Sequence, residues 1–156
     1  MDRPSKGDEN ILKEVAVILT KELNDYVEEN GFSEEEIFDV LDYGGDGYEL
    51  MKKLERDTYC TGDTEMVNIL DQADSIIYKI HSKYEKEWAK DIKPEYAVGN
   101  IVVFNRNRKE EYGEIVGIYE KEAKYKIFCE HLGHVREGNG TNGLILEYEG
   151  VLRKKE

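Results

Sequence analysis

The chain has 156 residues, and its 35 acidic side chains against 22 basic ones give a formal net charge of −13. This length suits one domain or two small ones. No stretch approaches the roughly 18 consecutive apolar residues of a membrane span, and residues 1–10 lack the apolar core of a signal peptide. The net charge disfavours direct binding to nucleic acid or to anionic lipid. We therefore expect a cytoplasmic protein with no membrane partner.

The first part of the chain has the apolar spacing of helices. Gly31 is predicted to end the first helix, and Ser33 with Glu36 forms a capping box at the start of the second. Pro94 is expected to end the helical region. About four helices are predicted, namely Asn10–Glu29, Ser33 to the Gly44-Gly45 pair, Tyr48–Arg56, and a long helix capped by Thr61 or Asp63 that reaches Trp88.

The long fourth helix carries the most extended apolar stripe of the chain. The stripe consists of Met66, Ile69, Leu70, Ala73, Ile76, Ile77, Ile80, Tyr84 and Trp88. A stripe of this length has to be buried against the other helices or against a second subunit. Core packing is the simpler interpretation, and a homo-oligomer formed through the stripe is the alternative.

After Pro94 the periodicity changes to that of short strands. The runs at 101–104, 112–119, 124–130 and 144–152 predict four or five strands, and Tyr125, Ile127 and Cys129 share one face of the third run. Arg106, Arg108 and Lys109 form the tip of a basic hairpin. So many short strands in about 55 residues indicate a small β-barrel or a strongly curved sheet.

Residues 98–156 resemble an SH3-like barrel of the KOW or Tudor kind. The resemblance rests on Gly99, on Val102-Val103, and on the run Gly113-Glu114-Ile115-Val116-Gly117-Ile118, while residues 106–109 replace the Gly-rich loop of KOW modules. It implies a fold that binds peptides, modified tails, RNA or other domains. We therefore predict an α+β chain with a helical bundle at 8–92, a linker at 93–97 and an SH3-like barrel at 98–153.

The charge is distributed very unevenly along the chain. Residues 1–97 hold 25 acidic and 12 basic side chains, whereas residues 98–156 hold 10 of each. From Glu22 to Met51 there are eleven acidic residues and no lysine or arginine. Such a segment attracts a basic partner and accelerates its encounter, although acidic surfaces also serve solubility alone. Tyr26, Tyr43 and Tyr48 lie among the acids as candidate aromatic anchors.

We predict a non-enzymatic, protein-binding inhibitor that mimics DNA towards a basic, nucleic-acid-handling partner. Its candidate contact residues are Glu28, Glu29, Glu34, Glu35, Asp39, Asp42 and Asp46. The small acidic helical part joined to a small barrel is similar to accessory proteins of phages and mobile elements. That similarity implies an anti-defence role, of the anti-CRISPR type, or a role in host takeover.

Two other functions remain open at this point. In the first, the barrel is an adaptor that recognises a protein or peptide, with the helices as a scaffold or oligomerisation element. Its candidate residues are Phe104, Arg106, Arg108, Lys109, Tyr112 and Tyr119. In the second, Cys129, His131 and His134 serve a metal or a catalytic pair. Their spacing fits no standard zinc pattern, so a buried structural cysteine and two loop histidines are predicted instead, with no cofactor and no metal.

Overall fold

The computed structural model describes residues 2–43, 45–137 and 140–155, with the backbone alone at 42–43, 137 and 140–141. The chain is α+β, as predicted: helices come first and an antiparallel sheet follows. It divides into two compact units, one up to Glu85 and one from Lys86 onward. Within the described residues, no helix has both the length and the apolar character that crossing a membrane requires.

The helical region begins and ends close to the predicted limits. Its helices are α1 (Glu9–Glu22), α2 (Asn24–Asn30), α3 (Glu34–Tyr43), α4 (Gly47–Thr58), α5 (Thr64–Leu70) and α6 (Ala73–Ala89). Gly31 ends α2 in a left-handed conformation with φ 73°. At the start of α3 the Ser33 backbone N–H donates to Glu36 Oε2 at 2.6 Å, and the Glu36 N–H donates to Ser33 Oγ at 3.3 Å. Both predicted helix signals are confirmed.

Two of the four predicted helices are interrupted, and the continuous helices expected there were wrong. The first breaks at Leu23, whose φ of −91° and ψ of 16° are not helical. The long fourth helix breaks at Asp71 and Gln72, between α5 and α6. There the Asp71 carboxylate accepts a hydrogen bond of 2.6 Å from the backbone N–H of Gly47, at the start of α4. This tertiary contact joins the break to a distant part of the chain.

The core of the first unit lies between α1, α3, α4 and α5. α1 packs against α3 and α5, and α4 packs against the same two helices. Ile11, Val15 and Leu19 of α1 are completely buried, and Cys60 is also in this core. The predicted apolar stripe contributes its buried members to the same cluster, namely Met66, Leu70, Ala73 and Ile80. The expectation that the stripe is core is confirmed for these residues.

The second unit contains a five-stranded antiparallel sheet. Its strands are β1 (Ile101–Arg106), β2 (Lys109–Tyr119), β3 (Lys124–Phe128), β6 (Leu144–Glu147) and β7 (Val151–Lys154), in the order β6-β3-β2-β1-β7. A separate small ladder pairs β4 (Arg136–Glu137) with β5 (Gly140–Thr141). Among the residues described, no pairing joins β6 to β7, so the sheet is open.

The tip between β1 and β2 is the predicted basic hairpin. Arg106 pairs with Lys109, so Asn107 and Arg108 form a two-residue turn. Both central residues have positive φ, 51° and 64°, as the type I′ turn of a tight hairpin requires. The hairpin predicted at this point is confirmed.

One face of the sheet carries the core of the second unit. Tyr125, Ile127 and Cys129 are at most 1% exposed, which confirms the predicted alternation along this run. Ahead of β1, the backbone N–H of Tyr96 donates to the Tyr125 hydroxyl at 3.0 Å. Phe104 is 1% exposed and belongs to the same cluster, so it is a core residue and not an exposed contact residue.

Two glycines of β2 have very different surroundings. A Cβ on Gly113 would lie 2.5 Å from Cys129 Sγ and 2.6 Å from the Phe128 carbonyl oxygen. A Cβ on Gly117 would meet only the Lys126 Cβ, at 3.4 Å. Neighbouring atoms therefore leave no space for a side chain at position 113, whereas position 117 has room for one.

Gly113→Ala is expected to destabilise the second unit by roughly 1–3 kcal/mol through overpacking, because backbone and core atoms would have to move. Urea unfolding followed by the fluorescence of the tyrosines around β3 measures the effect. Gly117→Ala on the same strand is the matched control and should unfold close to the wild-type midpoint. Equal midpoints for the two variants would contradict the packing described for Gly113.

Candidate functional site

The acid-rich segment is displayed by α2, α3 and the start of α4. Glu28 and Glu29 lie on α2, Glu34 and Glu35 in the first turn of α3, and Asp39 one turn later. Carboxylates in a first turn are favoured by the positive end of the helix dipole, which offsets part of their mutual repulsion. Local capping therefore lets the segment fold despite its charge.

Six of the seven predicted contact acids are exposed. We call them the acidic surface, consisting of Glu28, Glu29, Glu34, Glu35, Asp39 and Asp46. The side chain of Asp42, the seventh, lies outside the described residues. Among the residues that the structure describes, no lysine or arginine forms an ion pair with any of the six carboxylates. Within the described residues these carboxylates therefore have no direct ion-pair partner, and the nearby Lys53 Nζ donates to the backbone carbonyl oxygen of Asp39 at 3.0 Å.

Three of these acids converge on one groove between α1 and α3. Glu34, Glu35 and Asp39 line a cavity of about 360 Å³ together with the half-buried ring of Phe38. Lys13 of α1 also lines it, with its Nζ 5.9 Å from the centre of that ring. The same Nζ lies 2.5 Å from Glu9 Oε1, an i,i+4 pair within α1. The lysine that lines the groove is thus already paired.

Asp46 differs from the other members of the acidic surface because it caps α4. Its carboxylate accepts a 2.9 Å hydrogen bond from the Glu49 N–H, and its own N–H donates to Glu49 Oε2 at 3.3 Å. The two residues form a capping box. Asp46 is therefore both an exposed acid and the N-cap of α4.

The tyrosines among the acids are not equivalent. Tyr48 is 57% exposed, with Lys52 Nζ 5.6 Å from its ring centre, and is open to a partner. The side chain of Tyr43 lies outside the described residues. Tyr26 donates a 2.6 Å hydrogen bond to Asp63 Oδ1, which raises the pKa of Tyr26 to about 12 and lowers that of Asp63. The Tyr26 hydroxyl is therefore bound to the N-cap residue of α5 and is not available to a partner.

Sequence reasoning missed the groove and the Tyr26 bond for different reasons. The i,i+4 spacing of Glu9 and Lys13 was a readable signal that this lysine is neutralised within its own helix. The hydrogen bond from Tyr26 to Asp63 joins residues 37 positions apart, so no local sequence pattern predicts it. Tyr59 was also missed; it is 93% exposed at the left-handed end of α4.

The residues proposed for barrel binding do not form a single surface set. Phe104 is a core residue, so its role as a contact residue was wrong: its ring points to the buried face of the sheet. Arg106, Arg108 and Lys109 are exposed at the hairpin. Tyr119 is 42% exposed at the end of β2, and Tyr112 is 45% exposed in the middle of it.

Tyr112 lies in a charge-compensated neighbourhood. Its ring stacks on His131 with centroids 4.6 Å apart, and Lys155 Nζ lies 3.2 Å from the ring centre. The nearby acids are each paired: Glu110 bidentately with Arg153, Glu111 with His131 and Glu114 with Arg136. This face satisfies its charges internally, whereas the acidic surface does not.

The predicted structural role of Cys129 agrees with its surroundings. Its side chain is 1% exposed, and burial raises the pKa of the thiol. Its backbone N–H donates to His134 Nδ1 at 3.0 Å, so the His134 ring stabilises the loop that follows β3. Within the described part of the chain, no group of three or more His, Cys, Asp or Glu side chains is arranged to hold a metal ion. A protonated buried thiol is a poor nucleophile and a poor metal ligand.

Asp63→Asn is expected to lower the pKa of Tyr26 from about 12 towards the ordinary tyrosine value of about 10, because the acceptor loses its charge. Asparagine is also a good N-cap, so α5 should persist. In the wild type, the stability from this bond is complete between about pH 4 and about pH 10; it is lost as the pH rises through about 12, and also as the pH falls through the lowered pKa of Asp63.

Ultraviolet titration of tyrosinate, compared with Tyr26→Phe, measures this shift. Tyr26→Phe should remove one tyrosine that titrates near pH 12. An unchanged titration curve in Asp63→Asn would contradict the assigned bond.

The comparisons with known proteins leave the function to be argued from these residues. No protein-family model, curated protein or solved structure matches the chain. The uncompensated acidic surface on α2–α4 is therefore the feature on which a functional proposal has to rest.

Proposed function

We propose that this protein is a non-enzymatic inhibitor whose acidic surface docks on the basic surface of a nucleic-acid-handling protein. The observation that carries the proposal is the set of exposed carboxylates on α2 and α3 that, among the side chains described, form no ion pair with lysine or arginine. A partner with lysine and arginine side chains would supply the missing countercharges. Occupying that surface excludes the partner's nucleic acid, which is mimicry of DNA.

The charge density on α3 supports this kind of mimicry. Glu34 and Asp39, with Glu35 between them, lie five residue steps apart, or about 7.5 Å along the helix axis at 1.5 Å per residue. That is about one charge per 4 Å, close to the one charge per 3.4 Å along a single DNA strand. The helix already orders the backbone that carries these carboxylates, so binding costs the rotamer freedom of their side chains but no further backbone ordering. A basic protein that binds phosphates would meet a similar spacing here.

The charge balance of the whole chain favours a protein partner over nucleic acid. A net charge of −13 repels phosphates and attracts basic proteins over the screening length, about 8 Å at physiological ionic strength. Fast, salt-sensitive association is the expected consequence. Phage proteins that counter host defence, of the anti-CRISPR type, or that take over host machinery are the class in which we place this function.

We further propose that the second unit is an SH3-like barrel. The strand order β6-β3-β2-β1-β7 supports this, because a four-strand meander is followed by a fifth strand that returns beside the first. A short 3-10 turn, Tyr148–Gly150, links the last two strands. This arrangement is the one expected of a small barrel of that kind.

One observation favours a second candidate function, an adaptor that recognises a peptide through the sheet. Cavities of about 520 Å³ and 410 Å³ both border Tyr112, which is 45% exposed. Because His131 stacks on this ring and Lys155 Nζ lies over it, a peptide side chain would have to displace one of them to gain aromatic contact with Tyr112. In that case substitutions at Tyr112 and at the hairpin arginines Arg106 and Arg108, but not at the acidic surface, would abolish binding.

Reversal of three acids, Glu34→Lys, Glu35→Lys and Asp39→Lys, is expected to abolish partner capture. Tagged protein is incubated with lysate of its native host at about 0.15 M and about 1 M salt, and mass spectrometry identifies what is retained. We expect a basic nucleic-acid-binding protein that is released at high salt, where the screening length falls to about 3 Å. Purified, this partner should lose its nucleic acid as the inhibitor is added.

The matched control reverses three exposed acids of the second unit, Glu87, Asp91 and Glu130, and so changes the net charge equally. It should retain the partner. Loss of capture in the control but not in the α3 variant, or capture that is insensitive to salt, would overturn the proposal.

A further inference from the structure

The second unit contains a groove with the opposite charge to the acidic surface. Its cavity has a volume of about 750 Å³ and is bordered by four lysines, Lys86, Lys90, Lys93 and Lys121. Small-molecule sites commonly have volumes of about 300–1,000 Å³. In a chain with a net charge of −13, a concave site bordered by four ammonium groups stands out. Neither the acidic surface nor the sheet face around Tyr112 contributes to it.

The positions of the lysines follow from the end of α6 and the turn after it. Lys86 lies in the last turn of α6, and Lys90 and Lys93 lie in the segment that follows it; all three line the cavity. The chain turns beyond α6, where the Ile92 N–H donates to the Ala89 carbonyl oxygen at 3.2 Å. Lys121 faces the groove from the turn that follows β2.

The charge of these lysines is largely uncompensated. Lys90 Nζ lies 2.5 Å from Glu87 Oε2. Within the described residues, Lys86, Lys93 and Lys121 have no ion pair. Glu120 is the carboxylate among the lining residues. The groove therefore offers a surplus of positive charge.

Between the lysines, the groove is apolar. Ala89 is 2% exposed, and Ile92 and Pro94 are partly buried along the lining. The methylene stems of lysine add apolar surface while their ammonium groups stay in water. A ligand here would bury an apolar body against this lining and place a negative group among the ammonium ions.

We propose that the groove binds a small amphipathic anion, an apolar chain or ring carrying one carboxylate or phosphate. Ammonium groups are compact point charges on flexible stems, unlike the planar fork of arginine, so they accept either headgroup. Charge complementarity selects the anion, and the apolar lining selects it over a free inorganic ion. The site is independent of the acidic surface and adds a ligand to the proposed inhibitor.

Calorimetric titration of the full-length protein with dodecanoate and with dodecyl phosphate, both below their micellar concentrations, tests the proposal. Saturable binding of one molecule per chain is expected for both anions. Dodecanol and dodecyltrimethylammonium, which have the same chain without the negative charge, should bind at least about tenfold more weakly.

The decisive variant is Lys86→Gln with Lys93→Gln and Lys121→Gln, which keeps helix propensity and removes three charges. It should lower dodecanoate affinity at least about tenfold. The matched control, Lys21→Gln with Lys79→Gln and Lys154→Gln, changes three exposed lysines elsewhere and should bind as the wild type does. Circular dichroism checks that both variants are folded.

Several results would overturn the proposal. These are the absence of saturable dodecanoate binding, equal binding of the cationic detergent, and an unaffected triple variant. Binding to vesicles of anionic phosphatidylglycerol without binding of the monomeric anions would make the groove a membrane-surface contact instead. Any of these outcomes leaves the acidic-surface proposal intact, because none of the acidic-surface residues lines this groove.

Discussion

The packing of α3 against the core of the first unit is the constraint on which the acidic surface depends. Ile37, Val40 and Leu41 of this helix are at most 5% exposed. Burying side chains of this size stabilises a fold by about 1.5–3 kcal/mol each. The like charges of Glu35 and Asp39, at i,i+4 spacing, oppose this by only a few tenths of a kcal/mol. Burial on one face therefore holds unpaired carboxylates together on the other.

Charged side chains are paired around Tyr112 and unpaired on two other surfaces of the chain. Around Tyr112, Glu110 and Glu114 pair with Arg153 and Arg136, and Glu111 contacts His131. Within the described residues, the acidic surface has no such ion pair, and several lysines of the groove at the end of α6 have none. Unpaired charge on a folded surface remains available to a binding partner, whereas paired charge has first to be separated. The acidic surface and the lysine groove are both unpaired sets of this kind.

Local signals in the sequence predicted much of the fold, because caps, turns and strand periodicity are local physics. The Ser33 capping box and the hairpin at 106–109 are examples. The break at Asp71 was not predictable, since it involves Gly47 from another helix while the apolar stripe continues across it. Phe104 ends a run of four apolar residues, which does not reveal which of them face the core. Likewise, the composition of the segment located the acidic surface. The groove that three of its acids line was not predictable, because α1 forms its other side through tertiary packing.

The distribution of the two cysteines gives each unit its own chemical reporter of unfolding. Cys60 lies in the helical core and Cys129 in the sheet core, at 7% and 1% exposure, and both are free thiols. A thiol reagent reaches such a sulfur only when its surroundings open, so its reaction rate measures the local opening equilibrium. The chain can therefore report the separate stabilities of its helical and sheet units in one labelling experiment, with no engineered probe.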